Sequence, residues 1–188
     1  FRFPVRSGEE PIFREWFAAH GLEVVELPPD TFFEGAGDAL FCGEHLFCGY
    51  HFRSEIRSHD CIARLLGRRT LSLQLMDPRF YHLDTCFCPL APGEALWYPD
   101  AFDDYGRRVL QTHIAKLIAV NEEEAKRFGC NAVCVNGGYV CDGCRGLLPH
   151  ANVEAHKALM REHKIPEDQM LSRYRLFNSN EAIAKKAG

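Results

Sequence analysis

His82 and Asp84 stand two residues apart in segment 80–87, and together they are suited to chemistry on a cationic substrate. A histidine can carry a proton near neutral pH, and a carboxylate can hold a cation by charge-assisted hydrogen bonds. Cys86 follows at the same spacing and would add a thiol. The apolar and aromatic residues of the segment predict a strand, in which every second side chain points to the same face. We therefore predict that these three side chains share one face.

Each of these residues also has a structural interpretation. From spacing alone, His82 and Asp84 could be a pair on a surface strand, because only geometry identifies a catalytic group. Cys86 is a candidate nucleophile, but a free cysteine in an apolar strand is usually a small buried hydrophobic residue. Arg53, considered alone, is typical of a salt bridge at a helix start. The sequence by itself leaves these alternatives open.

Four further thiols, in a short stretch, have spacings that resemble half of a zinc site. They belong to Cys130, Cys134, Cys141 and Cys144. Cys141 and Cys144 fit a turn that carries incidental thiols, which is the structural alternative to a zinc site. We predict no metal and no cofactor, and keep a zinc-bound interaction module as a non-enzymatic alternative.

The composition indicates one globular domain with reduced thiols. The chain has 188 residues, of which 46% are hydrophobic, so it can bury a core. A net charge of −4 argues against nucleic acid as a partner, and no apolar run has the length of a membrane span. The nine cysteines are an odd number, which favours free thiols and a cytoplasmic location. The oligomeric state stays open, with a homo-oligomer as one alternative.

Hydrophobic periodicity and turn signals predict a repeated order of strand, strand, helix and strand. Strands are predicted over 22–27, 39–42, 46–50, 70–76, 80–87, 94–98, 115–120, 131–135 and 138–141. Helices are predicted over 9–20, 54–66, 103–111, 122–128 and 152–163. The order ββαβ therefore occurs about three times, which predicts an α/β fold.

Three motifs, in this order along the chain, resemble those of the guanidine-modifying enzyme superfamily. They are Phe33-Glu34-Gly35-Ala36-Gly37-Asp38, Gly49-Tyr50-His51-Phe52-Arg53-Ser54 and His82-Leu83-Asp84-Thr85. This superfamily includes arginine deiminases, dimethylarginine dimethylaminohydrolases, agmatine deiminases and glycine amidinotransferases. The resemblance implies a five-bladed α/β propeller of ββαβ modules, with about three blades present. Residues 1–188 would then be a single partial domain that is truncated at both ends.

The resemblance also implies the chemistry. A cysteine would attack the guanidinium carbon of arginine or a methylated arginine, and an amine would leave from the covalent amidino-thioether. By this resemblance His82 takes the acid/base role, and Glu34 is the catalytic carboxylate that orients the histidine or contacts substrate. Asp84, Arg53 and Asp38 are the implied substrate-binding residues.

The sequence departs from the superfamily pattern in two places. Ala36 adds a residue to a motif that in many members is Glu-Gly-Gly-Asp. The nucleophilic cysteine is expected just beyond Gly188, so the chain by itself is expected to be inactive. Amidino transfer to an amine instead of water, and a homologue that binds ligand without turnover, stay open as alternatives.

Overall fold

The computed structural model describes residues 1–135 and 138–141, and the predicted helix 152–163 and Cys144 lie outside them. Its helices are α1 (Pro4–Ser7), α2 (Glu9–Ala19), α3 (Ile56–Leu66), α4 (Asp104–His113) and α5 (Glu122–Lys126). Its strands are β1 (Ala39–Cys42), β2 (His45–Tyr50), β3 (Thr70–Gln74), β4 (Phe87–Ala91), β5 (Glu94–Trp97), β6 (Lys116–Ala119), β7 (Ala132–Val135) and β8 (Gly138–Cys141). The chain therefore has an α/β fold, as predicted.

Two complete ββαβ modules follow one another. In the first, β1 and β2 are antiparallel, and α3 returns the chain so that β3 pairs parallel to β2. In the second, β4 and β5 are antiparallel, and α4 leads to β6, which is parallel to β5. A parallel pair needs such a crossover, which explains why each helix stands before the third strand. The antiparallel hairpin of β7 and β8 follows in the same order, so the predicted recurrence is confirmed for two modules and a further hairpin.

Capping residues set where the helices begin and end. The Asp103 side chain accepts a 2.7 Å hydrogen bond from the Gly106 amide, which begins α4. Gly67 ends α3 with a φ of 59°, a conformation that glycine adopts without a side-chain penalty. Among residues 1–135 and 138–141, no helix combines the length and the apolar character that a bilayer span requires.

The main core lies between the two modules. Phe47 of the first sheet and Phe87 of the second are fully buried, and their rings meet edge to face with centroids 5.3 Å apart. Burying each such ring stabilises the fold by about 2–3 kcal/mol relative to an exposed one. Leu83 is also fully buried, so this core anchors the turn that follows His82.

The predicted strand 22–27 is wrong, because this segment forms no strand in the structure. It keeps an alternating pattern, but Leu22, Val24 and Val25 are exposed. A strand is stable only when its backbone amides and carbonyls pair with a neighbour. No strand of the described residues pairs with this segment, so its alternating pattern does not produce a strand.

The predicted strand 80–87 is also wrong in its first part. Residues Leu83–Thr85 form a short 3₁₀ turn, and the strand begins only at Phe87. The Thr85 hydroxyl donates a 2.6 Å hydrogen bond to the His82 carbonyl, and the Thr85 amide donates to the same oxygen at 3.2 Å. Such local hydrogen bonds compete with strand pairing. The alternation that placed His82, Asp84 and Cys86 on one face therefore does not exist.

Candidate active site

His82 is the centre of a polar cluster that joins residues from three separate segments. Its Nε2 atom lies 3.6 Å from Glu34 Oε2, and its Nδ1 atom lies 3.2 Å from Asp38 Oδ1. The contact to Asp38 is not a hydrogen bond, so the buried Nδ1 atom has no hydrogen-bond partner among the described residues. The side chain is 15% exposed, whereas both carboxylates are 1% exposed. The ring thus has a carboxylate on each side and one limited opening to solvent.

The glycine-rich turn allows this close approach. A Cβ atom on Gly37 would lie 3.1 Å from His82 Nδ1, which is tighter than most such contacts. Glycine at position 37 therefore makes room for the imidazole ring over the backbone of the turn. Glu34 and Asp38 flank a 3₁₀ turn over Gly35–Gly37, so Ala36 is accommodated within this turn.

The Asp38 carboxylate is fixed on both of its oxygens. Oδ2 accepts a 2.6 Å hydrogen bond from the Ser54 hydroxyl, and Oδ1 accepts a 3.0 Å bond from the Leu83 amide. The backbone of Asp38 is held as well, since its carbonyl accepts a 2.8 Å bond from the Gly49 amide. Asp38 is thus buried behind His82, a position that suits support of the ring better than direct contact with substrate.

The Glu34 carboxylate is held by two arginines. Arg6 Nη1 lies 3.0 Å from Glu34 Oε2, and Arg53 Nη1 lies 3.1 Å from the same oxygen. The guanidinium of Arg53 also lies 4.9 Å from the centre of the Phe3 ring and 5.0 Å from that of Tyr81. Two cations compensate the burial of one carboxylate, which would otherwise be costly.

Asp84 is a half-buried carboxylate beside this cluster. Burial raises its pKa, while the neighbouring His82 lowers it and the nearby Asp38 raises it further. The Asn131 side-chain amide donates a 3.4 Å hydrogen bond to the Asp84 carbonyl. Within residues 1–132, no lysine, arginine or histidine lies within ion-pair distance of the Asp84 carboxylate. A side-chain hydrogen bond with Asn131 lowers the pKa of Asp84, and the carboxylate, which has no cationic partner in this range, can still interact with a cationic ligand.

The buried thiols near the site are poorly suited to nucleophilic attack. Burial raises the pKa of the Cys86 thiol well above its ordinary value, and Cys130 is affected in the same way. A thiol must be deprotonated to act as a nucleophile, so burial disfavours both thiols in that role. Cys61 is half-exposed, but it lies on α3 and its sulfur contacts Arg64.

The predicted zinc alternative is only partly within the described residues, since Cys144 lies outside them. Among the residues that the structure describes, no group of three or more histidine, cysteine, aspartate or glutamate side chains could hold a metal ion.

The structure brings Glu34, Arg53, Asp38 and His82 into contact, and Asp84 lies beside them. Sequence reasoning missed two members of the cluster. Ser54 lies within a recognised motif but was not assigned a role, and its place next to Arg53 was a usable signal. Arg6 stands in α1, far from the motifs, and nothing in its sequence surroundings indicates a contact with Glu34.

The chain is similar to known enzymes of guanidine metabolism. It is 56% identical over 135 residues to the bifunctional arginine dihydrolase/ornithine cyclodeaminase ArgZ of Synechocystis, which covers 70% of this chain and 19% of that protein. It is 38% identical over 151 residues to the N(G),N(G)-dimethylarginine dimethylaminohydrolase of Mycobacterium tuberculosis, which covers 80% of this chain and 47% of that protein. The chain thus spans less than half the length of both relatives. No protein-family model matches it.

Solved structures give the same result. The N-terminal domain of cyanobacterial ArgZ has been solved bound to its substrate and, in another structure, covalently bonded to a reaction intermediate. Both structures superpose with a TM-score of 0.76 at 48% identity, and each match covers 84% of this chain and 58% of that domain. With the three motifs in order and His82 between two buried carboxylates, these similarities show that the chain belongs to the guanidine-modifying enzyme superfamily, as a relative of the arginine dihydrolases and dimethylarginine dimethylaminohydrolases.

Proposed function

We propose that this chain carries most of the active site of a hydrolase that cleaves the guanidinium C–N bond of arginine or a methylated arginine. The observation that carries the proposal is the position of His82 between Glu34 and Asp38, beside the available carboxylate of Asp84. A proton carrier next to an anion that can hold a cation is what this reaction requires.

The reaction needs a covalent intermediate, because a guanidinium carbon is a poor electrophile and its amine a poor leaving group. A cysteine thiolate attacks the carbon and a C–S bond forms; the C–N bond then breaks as His82 gives a proton to the departing amine. In the second half, His82 accepts a proton from water while the oxygen attacks the same carbon. The C–S bond then breaks, which releases the thiolate and leaves a carbonyl group on the product.

Each carboxylate has its own role in this scheme. Asp84 binds the substrate guanidinium by paired hydrogen bonds, and Glu34 orients His82 from the Nε2 side. Asp38 supports the ring from the Nδ1 side. Arg53 is ion-paired with Glu34 in this structure, and it can release one contact to bind the carboxylate of an amino-acid substrate.

The attacking thiol is the part of the scheme that residues 1–132 do not supply. Burial raises the pKa of the Cys86 and Cys130 thiols, and the half-exposed Cys61 lies on α3. The other cysteines of this range are also buried; they are Cys42, Cys48 and Cys88. We therefore propose that the nucleophile comes from a cysteine outside these residues. In this proposal the catalytic histidine and the nucleophilic thiol come from different parts of the sequence, and folding brings them together.

The relatives support both the substrate class and the covalent route. ArgZ is an arginine dihydrolase and was captured covalently bonded to an intermediate, and the mycobacterial relative acts on dimethylarginine. Two successive hydrolyses of arginine toward ornithine are the variant that the higher identity to ArgZ favours.

The proposal extends to the architecture and the location. We propose that the two ββαβ modules and the following hairpin are parts of a five-bladed α/β propeller, in which strand ends converge on a central site. Free thiols are present at Cys42, Cys48, Cys61, Cys86 and Cys130, which supports a cytoplasmic location for the enzyme.

The test measures hydrolysis and binding with a matched pair of variants. Ammonia, citrulline and ornithine released from L-arginine, and dimethylamine from dimethylarginine, are assayed with ArgZ as the positive control, and arginine binding is followed by calorimetry. In a form of the enzyme that turns over, His82→Asn should lower turnover by about 10²-fold or more, whereas His20→Asn, at the exposed end of α2, should change nothing. If the chain binds arginine but does not turn it over, the thiol lies outside it. If it neither binds nor hydrolyses any guanidine compound, the proposal is wrong.

A further inference from the structure

We propose that Ser54 is a positioning residue of this active site, and that its hydroxyl sets the relative position of the two carboxylates that flank His82. This inference rests on the proposed hydrolase function for its catalytic meaning. It deepens that function by assigning a role to a residue that makes no contact with the reacting atoms.

Ser54 connects the two ends of the glycine-rich turn. Its side-chain oxygen accepts a 2.9 Å hydrogen bond from the Glu34 amide and donates a 2.6 Å bond to Asp38 Oδ2. Ser54 is fully buried, so water cannot take over either bond. One hydroxyl therefore uses its donor and an acceptor site to fix the backbone of one carboxylate residue and the side chain of the other.

The second oxygen of Asp38 shows why this bond matters for His82. Asp38 Oδ1 accepts from the Leu83 amide and lies 3.2 Å from His82 Nδ1. Because Ser54 holds Oδ2, the carboxylate plane cannot rotate, and Oδ1 stays between the ring and the turn that follows it. Without the hydroxyl, the carboxylate has one partner fewer and can reorient in its buried site.

The backbone just before Ser54 is strained, which supports the inference that the position of Ser54 matters for the site. His51 has a φ of 119°, a region that favours glycine, and its amide donates a 3.0 Å hydrogen bond to the Ser54 carbonyl. Such a conformation persists only when the surrounding structure enforces it, and it is common at functional sites. The strained loop presents the Ser54 side chain to the space between Glu34 and Asp38.

The matched control is Ser58, another fully buried serine nearby in α3. Its hydroxyl donates a single 2.6 Å hydrogen bond to the Glu55 carbonyl, and neither Glu34 nor Asp38 is its partner. Ser54→Ala and Ser58→Ala therefore remove the same group from equally buried places. A general loss of packing or stability should appear in both variants, whereas a change at His82 should appear only in Ser54→Ala.

The deciding measurement is the long-range ¹H–¹⁵N spectrum of the imidazole rings in the full 188-residue chain. The His82 signals are identified among the nine histidines by their loss in His82→Asn. They should shift or broaden in Ser54→Ala and stay in place in Ser58→Ala, at a temperature below both unfolding transitions. In a form of the enzyme that turns over, Ser54→Ala should lower kcat by about tenfold to a hundredfold while KM is largely kept.

A second pair of variants decides the question if Ser54→Ala does not fold. Ser54→Thr keeps the hydroxyl and adds a methyl group, and Ser54→Val has nearly the same volume without the hydroxyl. The proposal requires the Thr variant to keep the wild-type His82 signals and the Val variant to lose them. Equal spectra for both, or an unchanged His82 in Ser54→Ala, would overturn it. Because the spectra need no turnover, the two proposals can fail separately. A chain that neither binds nor hydrolyses any guanidine compound argues against the hydrolase, while a His82 displaced in Ser54→Ala still supports the positioning role.

Discussion

Glu34 Oε2 lies 3.6 Å from His82 Nε2, although the two residues come from different turns of the chain. The proximity that the motifs predict is present in the structure, while the catalytic roles of the two residues stay predictions. Arg6 and Arg53 contact the same oxygen of Glu34, so this carboxylate links the candidate base to two cations. Glu34 therefore has a proposed catalytic role and also forms two ion pairs that should stabilise the fold.

Glu34→Gln tests this structural contribution. It should lower the free energy of unfolding by about 2–3 kcal/mol, less than the loss expected for a fully buried pair, because both arginines are partly exposed. Glu9→Gln is the control, since Glu9 also pairs with Arg6 but is itself 40% exposed, and it should cost clearly less. Urea unfolding of the three proteins gives the comparison. Equal losses in the two variants would contradict a special role for the buried carboxylate.

Asp84→Asn tests the proposed guanidinium site. The amide keeps the size of the side chain but removes the anion, so arginine binding should weaken by about 2 to 5 kcal/mol, or at least about thirtyfold in Kd. Asp100→Asn makes the same change at a carboxylate that is 74% exposed, and it should leave the affinity unchanged. Titration calorimetry with L-arginine measures both. Wild-type affinity in Asp84→Asn would place the guanidinium elsewhere.

Asp84 should also cost the ligand-free protein stability at neutral pH. Burial raises its pKa, so the folded state binds this proton more tightly than the unfolded state, and stability falls as pH rises from the ordinary aspartate value toward the raised one. Asp84→Asn should therefore melt at a higher temperature than wild type at pH 7. The difference should fade as the pH falls through the ordinary aspartate value of about 4 and should be gone near pH 3, where the carboxyl group is protonated in both states. Thermal unfolding from pH 3 to 8 checks this, and a destabilised Asp84→Asn at pH 7 would argue against the burial effect.

The thiols should react in the order of their exposure. Among the cysteines whose exposure the structure describes, Cys61 is half-exposed and should be alkylated first by iodoacetamide at pH 8, while Cys86 and Cys130 should react only when the chain unfolds. Their raised pKa values follow from burial, so urea should abolish the difference. Peptide mass spectrometry over time reads out each site. Rapid, pH-dependent modification of Cys86 in the folded chain would restore it as a candidate nucleophile.

Much of the architecture could be predicted from local sequence patterns. The ββαβ order follows from hydrophobic periodicity and turn residues, and helices such as α4 begin at capping residues that are visible in the sequence. The candidate site residues Glu34, Arg53 and His82 came from the resemblance of three motifs to the guanidine-modifying enzyme superfamily. These features depend on residue types and on neighbours close along the chain, which is the information that a sequence carries directly.

Tertiary contacts decided the rest. Segment 22–27 has the pattern of a strand but no neighbour to pair with, so it is irregular. Segment 80–87 has the pattern of a strand as well, but Asp38 binds the Leu83 amide and Thr85 closes a turn on His82. A backbone amide that is bound by a distant carboxylate cannot pair with a neighbouring strand, and no local pattern records that competition.

The same distinction applies to the candidate site. The motifs in the sequence pointed to the histidine and its carboxylates. Only the folded chain could show that Ser54 binds Asp38 and that Arg6 pairs with Glu34, because these contacts join residues that are far apart in the sequence.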